Sequence, residues 1–560
     1  MKHFIIAMVP VLLIAAGCGA PEKKDMNKDF TDFLVEFEKR IAPLNKDANL
    51  AYFNATMSGK DEDYKQSADL ELERSRLFAD TAAFARLKAI KESGSITDPL
   101  LARQLLVLYN AYLSKQIDDT MLERMVRMQN ETEKKFSTFR AEINGKLLTD
   151  NQIEEILKNS KNSAELENAW TASKRVGETV KGDVLALVKL RNEAARGLGF
   201  KNYHAMQLEL SEQDPDAIET LFDELDALTR DAFAALKNDI DTYLSARLGL
   251  PKEKLMPWHY QNRFFQEAPK IYDVDLDGFY KGKDIVALAT SYFAGIGLPI
   301  DDMVAKSDLF ERPGKYQHAY CTDIDREGDV RVVCNITPSY NWMNTTLHEY
   351  GHAVYSKFLD RKAPWILREE AHTFTTEAIA MLFGRFAAHP AWLKDVAGVA
   401  PEAARKAADA SRKSLRLEQL VFSRWVQVMY RFEKAMYEDP GQDLNALWWR
   451  LVEKYQMLRA PEGRNAPDWA SKIHVALYPA YYHNYMMGEL LASQLWYSIT
   501  GTVLGGADPE ASSFSGKQDV GAWLKEKIFM PARKLHWDHM IENATGEKLT
   551  AKYYARQFVN

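Results

Sequence analysis

Two histidines four residues apart, with a glutamate directly after the first, stand in TLHEYGHAVY, Thr346 to Tyr355. On a helix such residues lie about 40° apart around the axis, so His348 and His352 project from one face and can share one ion. Neutral imidazole is a preferred ligand of zinc, and zinc brings the pKa of bound water down to about 7. Glu349, next to the first ligand, can take that water's proton and pass it to a leaving amine. A third protein ligand is required. In LREEAHTFTTEAIAMLF, Glu377 opens an apolar helical stretch 25 residues past His352 and can complete the site, giving two histidines, one glutamate and one water around a single Zn2+. Glu369 and Glu370 precede that stretch and are expected in solvent. Further on, SKIHVALYPAYYHNYMMGELL crowds His474, Tyr478, Tyr482 and Tyr485 into a dozen residues just after Lys472. Tyr482 and Tyr485 are three apart and share a helix face, where one phenol can donate to an oxyanion while its neighbour holds substrate. His536 and His539 in HWDHM have no third ligand nearby and read as surface or packing residues.

The elements that must position these side chains are helices nearly throughout. Phe30, Phe33, Leu34, Phe37 and Ile41 follow the spacing of one buried helix face. Ile218, Leu221, Phe222, Leu225 and Leu228 repeat it after Asp214 and Pro215, a cap followed by a residue the first turn tolerates. The flanks of the histidine pair predict a helix from Tyr340 through Leu359, with Gly351 small enough to admit another element. From Phe30 to about Gly145 the chain reads as long, charged amphipathic helices with short breaks. Strands are expected only between about Gln317 and Ile336, on either side of a turn at Glu327 and Gly328. Cys321 and Cys334 sit symmetrically about that turn and would face each other, as a disulfide or as two thiols. The fold class is mainly α, one large unit in two lobes.

A chain of 560 residues with 46% hydrophobic and 27% charged content can bury a large core and has no disordered or fibrous bias. The net charge is −7 and no Lys/Arg block forms a phosphate-binding stripe, so nucleic acid is not an expected partner. The start, MKHFIIAMVPVLLIAAGCGAPEKKD, has a basic end, an apolar run from Phe4 to Ala16 and small residues ahead of Cys18. That run is short for a bilayer span and fits a secretory h-region. IAAGC resembles a bacterial lipoprotein box. Residues 1–17 are therefore expected to be a lipoprotein-type signal peptide, 18–25 a tether on acylated Cys18, and 26–560 one catalytic unit. The expected location is the periplasm, anchored to the outer membrane because Gly19, and not aspartate, follows the cysteine.

Five stretches in order, QHAYC, LHEYGH, LREEAHTFTTEA, WWRLVEKYQ and KIHVALYPAYYHNY, resemble the angiotensin-converting-enzyme-like zinc peptidyl-dipeptidases, relatives of thimet oligopeptidase and the oligoendopeptidases. The likeness runs from about Glu165 to the carboxyl end, with residues 26–145 in the place of that family's lid. It implies a deep channel between two helical lobes with one Zn2+ at its floor, held by His348, His352 and Glu377, and Glu349 as general base and acid. Tyr485 is similar to the tyrosine that stabilises the tetrahedral oxyanion, and His474 and His318 to the histidines that contact the substrate carbonyl. Ala319 and Tyr320 would offer backbone pairing to an extended peptide. Lys472 and Tyr482 resemble the pair that holds the substrate's terminal carboxylate, with Gln261 in PWHYQN as the third contact. The implied activity is release of dipeptides from the carboxyl end of short peptides. Internal cleavage is the alternative; a lipoprotein that binds peptides without cutting is a third reading, which has no need of Glu349. Three positions depart from the pattern. Asn484 and Val452 stand where chloride-binding arginines are usual, and Met381 where a carboxylate orients a zinc histidine.

Overall fold

A computed structural model describes residues 25–272 and 274–559, so the expected signal peptide and Cys18 lie outside the described residues. The chain is mainly α-helical, and its helices start where short polar side chains can accept the free N–H groups of a first turn. Asp25, Asp80, Asp98 and Asp118 cap four of the first five helices in this way. Asp214 does the same for the helix Pro215–Leu248, which buries Ile218, Leu221, Phe222 and Leu225 as the spacing predicts. Leu228 departs from that face and is exposed.

Helices Met26–Ser58, Asp61–Phe78, Thr81–Glu92 and Pro99–Leu113 surround an apolar cluster separate from the main core. Phe33, Phe37, Leu87, Leu108 and Tyr112 fill it, and Trp365 enters from the rest of the chain. This covering layer is tied down near the hairpin: Asn49 donates to the Asp323 carbonyl at 3.0 Å, and the Thr56 and Tyr320 hydroxyls lie 2.6 Å apart. The helix Asp119–Thr138 packs instead on Ser163–Gly197, Met125 meeting Leu190 and Ala194.

A hairpin that sequence reading omits follows it, Ala141–Ile143 paired with Lys146–Leu148. Its turn is Asn144-Gly145, with φ of 52° and 76°. Positive φ at both residues is what a two-residue turn matching strand twist requires, and Asn-Gly is the dipeptide that tolerates it. The second hairpin is where it is expected, Tyr320–Asp323 with Val330–Val333, but its register differs. Cys321 opposes Val332, so Cys321 and Cys334 are offset by two positions and are both free thiols. The hairpin centre lies between Arg326, in the left-handed region, and Glu327, one residue before the expected centre between Glu327 and Gly328.

Three helices stack behind that hairpin. Tyr340–Lys357, capped by Ser339, crosses Thr373–Gly384 at Gly351, where a Cβ would sit 2.7 Å from the Ala380 Cα. His483–Ser498 packs on the far side of Thr373–Gly384 at Gly488, where a Cβ would sit 3.1 Å from that of Glu377. The glycines set the spacing: with any side chain at either crossing the backbones must separate. No helix among the described residues is long and apolar enough to cross a membrane.

Candidate active site

The two crossings bring His348, His352 and Glu377 together, with one ligand atom from each within 4.8 Å of the others. Among the described residues this is the one such group of three or more metal-ligating side chains. The two Nε2 atoms are 3.2 Å apart, and Glu377 Oε2 lies 3.7 Å from His348 and 3.9 Å from His352. Tetrahedral zinc with bonds of about 2.0–2.1 Å sets its ligands about 3.3 Å apart, so the triad has the dimensions of such a site. Its electrostatics agree. Burial holds the His348 pKa down to about 4 and pushes that of His352 well below the usual value, so both rings are neutral and can ligate. His352 Nδ1 lies 2.7 Å from the Thr376 hydroxyl; giving its proton there leaves the Nε2 lone pair aimed into the triad.

Glu349 is 7% exposed, and burial followed by the Glu377 charge pushes its pKa up to about 8. Burial, then Glu489, pushes Glu377 up to about 7. Two buried carboxyls beside two neutral imidazoles form a site short of positive charge, which a divalent cation would supply. All four side chains line a cavity of about 740 Å³ together with Ala319 and Tyr320 of the hairpin. Glu369 and Glu370 line it as well and are not simply solvated: Glu369 pairs with Arg326 and Arg533, and Glu370 accepts from the Ser356 hydroxyl. His318 does not line this cavity. It shares alternate positions with Tyr316 and Tyr320, whose rings look toward Tyr52 and Thr56 of the covering helix, and His318 itself is exposed against Tyr316 at 5.3 Å. Ala319 and Cys321 take the opposite face.

A second cavity, about 730 Å³, is lined by Tyr485, Met381 and Glu489 on one side and by Gln261, Gln266 and Glu267 on another. Tyr485 lies three residues before Gly488 on one helix, so the face that meets Glu377 also carries this phenol. Burial and the Glu377 charge raise its pKa, which keeps the proton on the oxygen. Its ring is 5.4 Å from those of both Tyr481 and Tyr482. His474 stands edge-on to Tyr482 at 5.0 Å, with Nδ1 buried and without a partner and a pKa lowered by burial to about 4. Tyr482 accepts from Trp425 Nε1 at 2.9 Å, which leaves its own proton free.

Lys472 is buried against the rings of Phe264, Trp425 and Tyr482, and burial lowers its pKa to about 8. Its ammonium donates to Gln266 Oε1 at 2.6 Å. Gln261, the expected third contact, instead donates to the Lys158 carbonyl at 2.8 Å. The backbone explains the exchange: Gln261 and Phe265 have φ of 59° and 52°, and the chain doubles back so that the residue five places on reaches Lys472. No periodic signal in the sequence marks Gln266. Thr376 carries one, a hydroxyl directly before the carboxylate expected as third ligand.

Comparison with known proteins agrees with this architecture. An angiotensin-converting enzyme from Haematobia irritans exigua is 21% identical over 74% of this chain and 73% of its own length. Carboxypeptidase 1 of Bacillus subtilis is 24% identical over 42% of this chain and 50% of its own. A protein of Caenorhabditis elegans named an inactive angiotensin-converting enzyme-related protein is 21% identical over 58% of this chain and 40% of its own. A family model described as angiotensin-converting enzyme matches residues 24–558, so the chain belongs to the angiotensin-converting enzyme family of peptidases.

Proposed function

We propose that this protein is a zinc-dependent peptidase that releases dipeptides from the carboxyl end of short peptides. The observation that carries the proposal is the coupling of the His348, His352 and Glu377 triad to a cationic anchor one short cavity away. Gln266 lines both the cavity that holds Tyr485 and the adjoining one that holds Lys472. Lys472, Gln266 and the free proton of Tyr482 make a donor set suited to a terminal carboxylate.

The chemistry that zinc supplies when bound at the triad is Lewis acidity toward a carbonyl oxygen. The remaining work falls to side chains. Glu349 takes a proton from the attacking water as the new C–O bond forms, then delivers it to the amide nitrogen as the C–N bond breaks. Tyr485 donates to the carbonyl oxygen as that atom gains charge, and neutral His474 can donate beside it. Ala319 and Tyr320 give the substrate backbone an edge to pair with. The covering helices limit entry to short, extended peptides. Export and attachment through acylated Cys18 complete the reading, and lipid labelling that persists in Cys18→Ala would remove that part.

The deciding experiment uses one peptide with a free and with an amidated carboxyl end, the zinc-loaded protein, and mass spectrometry of the products. Dipeptide release from the free form with much slower cleavage of the amide is expected. Equal rates, or internal fragments from both, would replace this reading with an oligoendopeptidase.

A further inference from the structure

A third cavity, about 480 Å³, shares no lining residue with the triad cavity or with the one that holds Tyr485. It lies where the helices Pro401–Glu438, His483–Ser498 and Lys552–Phe558 meet the short turn Arg385–Ala388. Arg385 borders it and pairs with Glu489, which borders the Tyr485 cavity, so one ion pair stands between the two spaces. The reaction described above uses none of its side chains. Its walls carry buried polar atoms without a hydrogen bond: Arg385 Nε, both ring nitrogens of His389, Ser411 Oγ and Trp496 Nε1. Arg385 Nε and Trp496 Nε1 can only donate, and the Ser411 hydroxyl can donate as well. Arg556 and Glu510 also line the cavity, both exposed, and neither charged group has a hydrogen bond or an ion pair among the described residues. They are neighbours all the same. Arg556 lies over the Tyr497 ring at 4.3 Å, and the Tyr497 pKa, raised by burial, is drawn down by Arg556 and up by Glu510. The remaining charges are engaged: Asp409 pairs with Arg412 and Lys413, and Arg416 donates to the Phe558 and Val559 carbonyls. A cation and an anion that border one space without meeting leave room for a guest that bridges them, and buried donors left unmet cost free energy until a guest supplies acceptors.

We infer that this cavity binds a free aromatic α-amino acid, its carboxylate taken by Arg556 and the donors Trp496 and Ser411, its ammonium by Glu510, and its ring by Tyr497 and Phe558. A carboxylate only accepts, and a guanidinium meets it with two parallel donors. Aromatic walls favour an aromatic guest, and the volume is that of a small-molecule pocket. A simple carboxylate would leave the charge of Glu510 facing it, and a simple amine would leave the buried donors unmet. Only a guest with both charges answers both sides of the cavity.

Calorimetry with the zinc-loaded protein compares phenylalanine with phenethylamine, which lacks the carboxylate, and with 3-phenylpropionate, which lacks the ammonium. Phenylalanine is expected to bind about tenfold more tightly than either, the size of a charge-assisted contact. Arg556→Gln combined with Glu510→Gln, both at exposed positions, is expected to abolish that advantage, and Lys472→Met, at the proposed substrate anchor, to leave it intact. No binding of phenylalanine by the unaltered protein, or binding equal to that of either analogue, overturns the inference whether or not the variants fold. An advantage that survives in the folded double variant overturns it as well. So does loss in Lys472→Met with retention in the double variant, which would place the amino acid at the substrate's carboxylate anchor. Turnover is not the readout, so the dipeptidase reading stands or falls apart from this result.

Discussion

The Nδ1 of His352 and the hydroxyl oxygen of Thr376 lie 2.7 Å apart, and Thr376 directly precedes Glu377. One turn of one helix thus carries both the Glu377 carboxylate of the triad and the hydroxyl that orients the His352 ring. This hydroxyl faces the triad five residues before Met381, the position where the family's pattern has a carboxylate. Thr376→Val keeps the shape and removes the hydroxyl. Zinc affinity, measured by competition with a chelating dye, is expected to fall about 10- to 100-fold. Unchanged affinity would mean that His352 is oriented by other contacts.

Gly351 bears on both stability and the metal. A methyl group there would sit 2.7 Å from the Ala380 Cα and 3.1 Å from the Ile379 carbonyl oxygen, and neither backbone atom can turn aside. Gly351→Ala is expected to cost about 1–3 kcal/mol of stability, read from denaturant unfolding, because the helices must part. The same displacement carries Glu377 away from the histidines, so zinc affinity should drop along with it. Gly182, with nothing near its missing Cβ and on a helix remote from the triad, is the control: Gly182→Ala should leave both unchanged or raise stability slightly.

Glu349→Gln separates proton transfer from metal binding. The side chain is not one of the three converging ligands, and glutamine preserves its size. Zinc content by atomic spectroscopy should stay at one per chain, while turnover of a short peptide should fall about 10²- to 10⁴-fold. Substantial residual activity would assign the proton to another group.

Acid should unfold this protein through histidines outside the triad. Burial lowers the pKa of His259, His372 and His389 to about 4 each and that of His204 to about 3. In the unfolded chain they titrate near 6.5, so below that pH the unfolded state binds more protons than the folded one. Their contribution is fully present above about pH 6.5 and is lost as pH falls toward 4. Glu433 and Asp323 act in the opposite sense: burial pushes them up to about 8 and about 6, so their contribution is lost as pH rises from about 4 through those values. With His474 and His483, which burial also lowers, six histidines stand against the raised carboxyls of Glu433, Asp323, Glu418 and Glu510 and set the direction. The melting temperature of metal-free protein is expected to fall by several degrees between pH 6.5 and 4.5. A flat profile would show that these rings are already charged or solvated in the fold.

Local pattern made the scaffold of the site legible. The histidine spacing, the run after Glu377 and the tyrosines of one helix face each lie inside a helix, where side-chain direction follows from position. What stayed hidden depends on irregular backbone or on distance in the chain. The Asn144-Gly145 turn was marked by its dipeptide, yet it sits among charged residues without strand alternation. The cysteine register turned on one residue at the hairpin centre. His318 falls outside the triad cavity because the anchoring of Tyr320 to Thr56 turns that strand face toward the covering helix, a contact separated by 264 positions. Glu418 reads as one more polar residue of a long amphipathic helix until the 261–270 loop closes a cavity over it.

The exchange of Gln261 for Gln266 gives the sharpest check on the carboxylate anchor. Gln266 accepts from Lys472 at 2.6 Å, and Gln261 is tied to the Lys158 carbonyl at 2.8 Å. If Lys472 holds the substrate's terminal carboxylate, Lys472→Met removes its charge and should lower kcat/KM for a free-carboxyl peptide about 10²-fold, chiefly through KM. That size is the loss of a buried, charge-assisted contact. The amidated peptide, which has no charge for Lys472 to meet, should lose little. Gln266→Ala should weaken the same substrate by a smaller factor, since the ammonium remains but is less well aimed. Gln261→Ala should leave KM unchanged, because its amide is already spent on the backbone. A KM effect at Gln261 that exceeds the one at Gln266 would show that the loop rearranges on binding and that the observed pairing with Lys472 is not the one that meets substrate.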